Sequence, residues 1–510
     1  MRSYLSLIII FQIITLSLSD RLVFLYTHFR HGARAPLNID DNYVDKLGEN
    51  WTNPGELTGV GQRMHYLLGL RNRLRYIKNE KFISEKFDPH EVLIFTTDRN
   101  RTMVSVASQL QGLYPQKDEQ GEKLTESQQK VALPQVYVND TYIQEEITNL
   151  GDKALPYLMT LAPIRMVNDN ERKMNVYDIE ECTEERDQVK ETNSKNIPEL
   201  KEYIEKFNGQ YGTAWNQYFD THKGNYTYNE IHDICDSFLS DYADDREMKT
   251  FKEKTGLDFD ELNDKCFDFF RIYYLYTYHG DDEKILAHVD SSKLMKELIF
   301  YIKRRLDADI TSTNEDANYK DYSRPRMIMT SGHDSTVSAD LILIIRALGL
   351  NETEMYDFPK YATQLAIEVR TNKAVNTDGS YNDYNVVGYF DDKQIFNVNA
   401  NDFLNKIENE VWSDSKVNEF CGFDDTTTNT NNGTSNNGSN SNSTNSNDDD
   451  SDNAKKAYKA LMIVFICLTA ILLATTIFLA YKLSKANAPR PPIDTNYQTN
   501  GNDTTQNNLK

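Results

Sequence analysis

One imidazole and two guanidinium groups fall within five residues at Arg30-His31-Gly32-Ala33-Arg34, and Ala35-Pro36 follows them. Two guanidiniums can fork onto the oxygens of a phosphoryl group, and a neutral imidazole between them can attack its phosphorus. A second cluster, Ser331-Gly332-His333-Asp334-Ser335, sets an imidazole beside a carboxyl group. There Asp334 can protonate a leaving alkoxide, and His333 can donate a hydrogen bond to the phosphoryl oxygens. A third stretch, Thr96-Thr97-Asp98-Arg99-Asn100-Arg101, offers one more guanidinium, on Arg101 with Arg99 as its rival. Fixed cations stabilise the charge on three phosphoryl oxygens, so Arg30, Arg34 and Arg101 can act without a metal. These residue types suit hydrolysis of phosphate monoesters, with His31 as nucleophile through a phosphohistidine and Asp334 as general acid. A carboxylic acid keeps its proton best in acid, so an acid optimum is expected. No cofactor is expected, and no Cys-x-x-Cys or His-Glu-x-x-His run supports zinc.

The elements that must position these groups repeat in kind. Leu22–Tyr26, Glu91–Thr97 and Met327–Thr330 are apolar runs. Each leads through a polar loop to a stretch of helical spacing near 58–78, 101–114 and 336–348. Strand, loop and helix in that order predict an α/β fold with a largely parallel central sheet flanked by helices. All three polar clusters then lie at carboxyl ends of strands, where such sheets bind ligands. Leu365–Arg370 and Asn385–Phe390 read as an antiparallel hairpin on the sheet's edge, turning at 376–379. The tyrosine-rich interval at 136–320 reads as an α-helical cap insertion, its aromatic density as core, and His28 and His65 as structural or as supports behind the site. His232 and His288 are placed on the surface.

At 510 residues the chain exceeds one ordinary core. The expected divisions are a signal peptide at 1–19, an α/β core at 20–135 and 321–423, and the cap at 136–320. A disordered Asn/Ser-rich stalk at 424–456, a transmembrane helix at 457–481 and a cytoplasmic tail at 482–510 follow. That layout predicts a single-pass type I membrane protein on the secretory pathway, in lysosomes or endosomes or at the cell surface, with its bulk lumenal or extracellular. Cys467 falls in the membrane span, leaving four cysteines for two disulfides. Cys235–Cys266 is expected as a local staple and Cys182–Cys421 as a tie from the insertion to the domain's end. Sequons at Asn50, Asn139, Asn225 and Asn351 fit a glycosylated lumenal domain. A net charge of −22 excludes a general nucleic-acid binder.

Arg30-His31-Gly32-Ala33-Arg34-Ala35-Pro36 resembles in full the Arg-His-Gly-x-Arg-x-Pro motif of the histidine acid phosphatases, the branch containing prostatic and lysosomal acid phosphatases and phytases. Thr96–Thr102, His333-Asp334, Gly55–Gly61 and Gly112–Pro115 also follow that family's pattern. The resemblance implies His31 as nucleophile, Asp334 as proton donor, and a phosphate pocket of Arg30, Arg34, Arg101 and His333; it favours Arg101 over Arg99. It implies a small phosphomonoester or a phosphoprotein as substrate, and dimers occur in the family. Two other readings are a phytase or inositol polyphosphate phosphatase, and a membrane-tethered binding protein on a phosphatase scaffold.

Overall fold

The computed structural model describes residues 20–37, 51, 53–115, 121–134, 141–158, 160–167, 182–219, 224–246, 252–253, 255–279, 286–311, 324–373 and 380–422. The expected signal peptide, stalk, membrane span and tail, the 376–379 turn, and Asn50 and Asn139 lie outside these residues. Among the described residues no helix is long and apolar enough to cross a membrane.

Strand β1 (Arg21–Arg30) is buried along its whole length after Arg21, as an apolar run covered on both faces should be. The other strands are β2 (Val92–Thr97), β3 (Arg165–Val167), β4 (Met327–Gly332), β5 (Gln364–Thr371), β6 (Tyr384–Phe390) and β7 (Lys393–Asn399). They form one sheet in the order β3-β2-β4-β1-β5-β6-β7. From β3 to β1 every pairing is parallel; from β1 to β7 every pairing is antiparallel. The sheet is therefore mixed rather than largely parallel. The difference arises in its second half, where β5, β6 and β7 run as a meander. Asp391 and Asp392, both at positive φ (44° and 69°), join β6 to β7, a two-residue turn that needs that conformation. The expected β5–β6 pairing is present, but β7 rather than β6 is the edge.

Two helices, α1 (Gly59–Asn72) and α2 (Asn100–Leu113), cover one face of the sheet. Their partners include Leu25, Phe29, Ile94 and Met329, and Val106, Leu110 and Leu113 of α2 point inward. The cap interval supplies α3 (Thr183–Asn196), α4 (Tyr228–Ala243) and α5 (Phe259–His279). It also supplies β3 and α6 (Leu286–Thr311). That last helix packs on the sheet itself: its Arg305 guanidinium donates to the Val23 carbonyl at 3.2 Å. With α7 (Asp334–Leu348) and α8 (Ala400–Glu410) it forms the layer over Phe24, Tyr26, Ile328 and Ile367. Both expected disulfides are present: Cys235–Cys266 joins α4 to α5, and Cys182–Cys421 ties the start of α3 to the domain's end. Buried His288, expected on the surface, stacks on Trp412 and bonds Glu410 at 2.8 Å.

Candidate active site

β2, β4 and β1 are neighbours running the same way, so their carboxyl ends bring the three polar clusters together. The His31 backbone N–H donates to the Gly332 carbonyl at 3.0 Å, locking the first loop to the end of β4. Gly32 lies so close to α1 that a Cβ there would sit 2.4 Å from the Gly61 carbonyl oxygen. Only glycine fits.

His31 is buried, and its Nδ1 lies 2.9 Å from its neighbour's carbonyl, Gly32 O. A carbonyl only accepts, so Nδ1 carries the proton and Nε2 the lone pair. Burial, then the Arg30, Arg101 and Arg34 charges and His333, holds the His31 pKa well below the usual histidine range. Its ring centroid stands 5.5 Å from that of His333. Arg101 Nη2 approaches His333 Nδ1 at 3.3 Å, and Thr97 Oγ1 lies 3.1 Å from Nε2. Because a guanidinium only donates, Nδ1 accepts and Nε2–H is given to Thr97. Burial followed by the Arg101, Arg34 and Arg30 charges depresses the His333 pKa as well.

Asp334 opens α7 and is held from two sides. Arg30 Nη2 sits 2.7 Å from Oδ2, and the Tyr274 hydroxyl donates to Oδ1 at 3.1 Å. Arg30 in turn stacks over Tyr361 at 4.3 Å and donates to Pro359 O at 2.9 Å. Arg34 makes a two-pronged bond to Asp236 on α4, at 2.7 and 3.1 Å. Burial alone would raise the Asp236 pKa, but the Arg34 guanidinium outweighs it and holds it at about 2.

A cavity of about 590 Å³ opens onto His31, Arg34, Arg99, Arg101, His333 and Asp334. Of the six residues picked out in the sequence, five reach its wall. The sixth, Arg30, is buried behind Asp334. Both arginines at the start of α2 line it, with Arg101 on His333 and Arg99 exposed at the helix cap. The cap contributes Lys190, His232, Asp236 and an aromatic wall of Phe270, Tyr273 and Tyr274. His232 is thus a cavity residue and not the surface residue expected. Asp236 and Tyr274 were missed for a physical reason. One acid in an acid-rich helix, or one tyrosine in an aromatic one, carries no local signal until its partner is placed. Among the described residues no group of three or more His, Cys, Asp or Glu side chains is arranged to hold a metal ion.

The sequence matches the histidine phosphatase superfamily (branch 2) over residues 21–381. This chain belongs to that superfamily. Among curated proteins this histidine phosphatase is 34% identical to Xenopus laevis lysosomal acid phosphatase over 108 residues, 21% of this chain and 24% of that one. It is 38% identical to human prostatic acid phosphatase over 100 residues, 19% of this chain and 25% of that one. The aligned stretches thus span about a quarter of those relatives' lengths. Among solved structures, the phytase of Citrobacter braakii superposes with a TM-score of 0.47 at 14% identity, covering 78% of this chain and 99% of the phytase.

Proposed function

We propose that this histidine phosphatase is a metal-independent acid phosphatase that hydrolyses phosphate monoesters through a phosphohistidine on His31. The observation that carries the reading is the state of His31. Its Nδ1–H is tied to a carbonyl, its Nε2 keeps the lone pair, and three guanidiniums surround it. Nε2 attacks phosphorus, an N–P bond forms, and the ester P–O bond breaks as Asp334 gives its proton to the departing oxygen. Arg34 and Arg101 stabilise the charge on the phosphoryl oxygens; as Arg101 leaves the His333 ring for them, His333 Nδ1 must take up a proton before it too can donate to them. Arg30 orients Asp334. The Asp334 carboxylate then takes a proton from water as its oxygen attacks phosphorus, the N–P bond breaks, and phosphate leaves with His31 neutral again. The wall of Phe270, Tyr273 and Tyr274 suits an aryl or other apolar-faced leaving group better than an inositol carrying further phosphates. Two disulfides support work in an oxidising compartment, in keeping with a secretory-pathway, membrane-anchored protein.

The test is hydrolysis of a chromogenic aryl phosphate by the secreted fragment 20–423, with chelator present, from acid to neutral pH. Activity should survive the chelator. A histidine whose pKa is depressed stays neutral as pH falls through its ordinary value of about 6.5. kcat/KM should therefore show no acid limb near that value and should hold into the acid range. A limb between about pH 6 and 7 would mean that the attacking group titrates as an ordinary imidazole. Loss of activity with chelator would remove the metal-free reading.

A further inference from the structure

Tyr26, His28 and Arg30 alternate along β1, so all three project from the same face, toward α7. Each bonds to that helix. Arg30 meets Asp334 at 2.7 Å, His28 Nδ1 meets Asp340 Oδ2 at 2.7 Å, and the Tyr26 hydroxyl donates to the same Oδ2 at 3.3 Å. From α6, the Ser291 hydroxyl donates to Asp340 Oδ1. At its other nitrogen His28 Nε2 lies 3.2 Å from Thr336 Oγ1, which accepts from the His333 backbone N–H at 2.9 Å and reaches the His333 carbonyl at 3.1 Å. Ser291, Asp340, His28 and Thr336 thus form one continuous chain ending on the backbone of His333. All four are at most 3% exposed. The chain also fills the space under the loop: a Cβ on Gly332 would sit 2.5 Å from both His28 Nε2 and Thr336 Oγ1.

A carboxylate bonded to an imidazole in so dry a place is a poor source of stability, since an apolar pair of the same volume does as well or better. What it supplies is direction. Hydrophobic packing lets a helix slide or turn by a fraction of a residue, whereas a short bond to a carboxylate fixes one point. Here two such points, Asp340 and Thr336, lie within the two turns of α7 that begin with Asp334.

We propose that His28, Asp340 and Thr336 are positioning residues for catalysis, fixing the height and rotation of α7 so that Asp334 faces His31 across the bound phosphoryl group. The proposal rests on the phosphatase reading. None of the three lines the cavity, so their effect is on turnover rather than on phosphate affinity. A misplacement of about 1 Å at a reacting group is enough to cost on the order of 10²-fold.

The experiment compares wild type with Thr336→Ser, Thr336→Val and the double variant His28→Leu/Asp340→Leu. Aryl phosphate kcat, the inhibition constant for inorganic phosphate and the thermal midpoint are measured for each. In the double variant kcat should fall about 10- to 100-fold with phosphate inhibition within about twofold, while the midpoint should drop only modestly, because the buried Tyr26 and Ser291 hydroxyls lose their acceptor. Thr336→Ser should keep kcat, and Thr336→Val should lose it. Wild-type kcat in the double variant, or a loss of kcat that tracks the midpoint across the series, would overturn the proposal. A crystal structure of the double variant gives a readout that needs no turnover: the Arg30–Asp334 contact should be broken or displaced, and its retention would also overturn the proposal. An inactive wild type would instead sink the phosphatase reading, leaving that contact to decide the positioning.

Discussion

His31→Ala is expected to lower kcat for an aryl phosphate by at least about 10⁴-fold, the scale seen when a covalent nucleophile is removed. His333, whose ring stands 5.5 Å from that of His31, cannot take its place with the same geometry. His333 gives Nε2–H to Thr97, and its Nδ1 lone pair faces the Arg101 guanidinium. Inorganic phosphate should still inhibit the variant, competing with substrate, because Arg34 and Arg101 are untouched. Steady-state kinetics with phosphate as inhibitor tests both statements. A variant within about tenfold of wild type would show that His31 is not the nucleophile.

Asp236→Ala should destabilise the folded protein by about 3–5 kcal/mol, because it leaves the Arg34 guanidinium buried without its carboxylate. The same pair makes stability depend on acid in a defined direction. The Asp236 pKa is about 2 in the fold and about 4 in an unfolded chain, so its contribution is complete above about pH 4. It is lost as pH falls toward about 2. Urea unfolding of wild type and Asp236→Ala at pH 6 and at pH 3 measures this, and the gap between them should narrow in acid. Replacing both partners, as Arg34→Met/Asp236→Leu, should recover most of the stability while abolishing tight phosphate inhibition. Equal stability of wild type and Asp236→Ala at pH 6 would mean the pair is a solvated contact.

Much of the site was legible because its residues are dense in sequence. Arg30, His31 and Arg34 share one loop, His333 and Asp334 another, and both loops follow apolar runs whose burial forces them to be strands. Three parallel strands in a row then leave the clusters no choice but to converge. What was not legible depends on partners far apart in the chain. Arg34 finds Asp236 some two hundred residues later, and Asp334 finds Tyr274 on a helix whose tyrosines are otherwise core. Arg30, read as a phosphate ligand, also meets Asp334 at 2.7 Å, a contact that no local pattern announces. In the antiparallel half of the sheet the β5–β6 hairpin was legible, but β7 escaped for a related reason. β7, Lys393–Asn399, is short and polar on one side, and the Asp391-Asp392 turn lacks the glycine that usually marks such hairpins. His232 and His288 show the limit of judging a lone histidine: one lines the cavity and the other is stacked in the core.

The central claim is a covalent phosphoryl group on His31, and trapping it is the most direct measurement. The enzyme would be mixed with a radiolabelled phosphate monoester, quenched in alkali within milliseconds, and digested for mapping, since a phosphohistidine survives alkali. Label on the peptide carrying His31, absent from His31→Ala and decaying no more slowly than steady-state turnover, is the predicted result. Steady release of labelled phosphate with no label ever on the protein would contradict the account, and would point to direct attack by water in the same pocket.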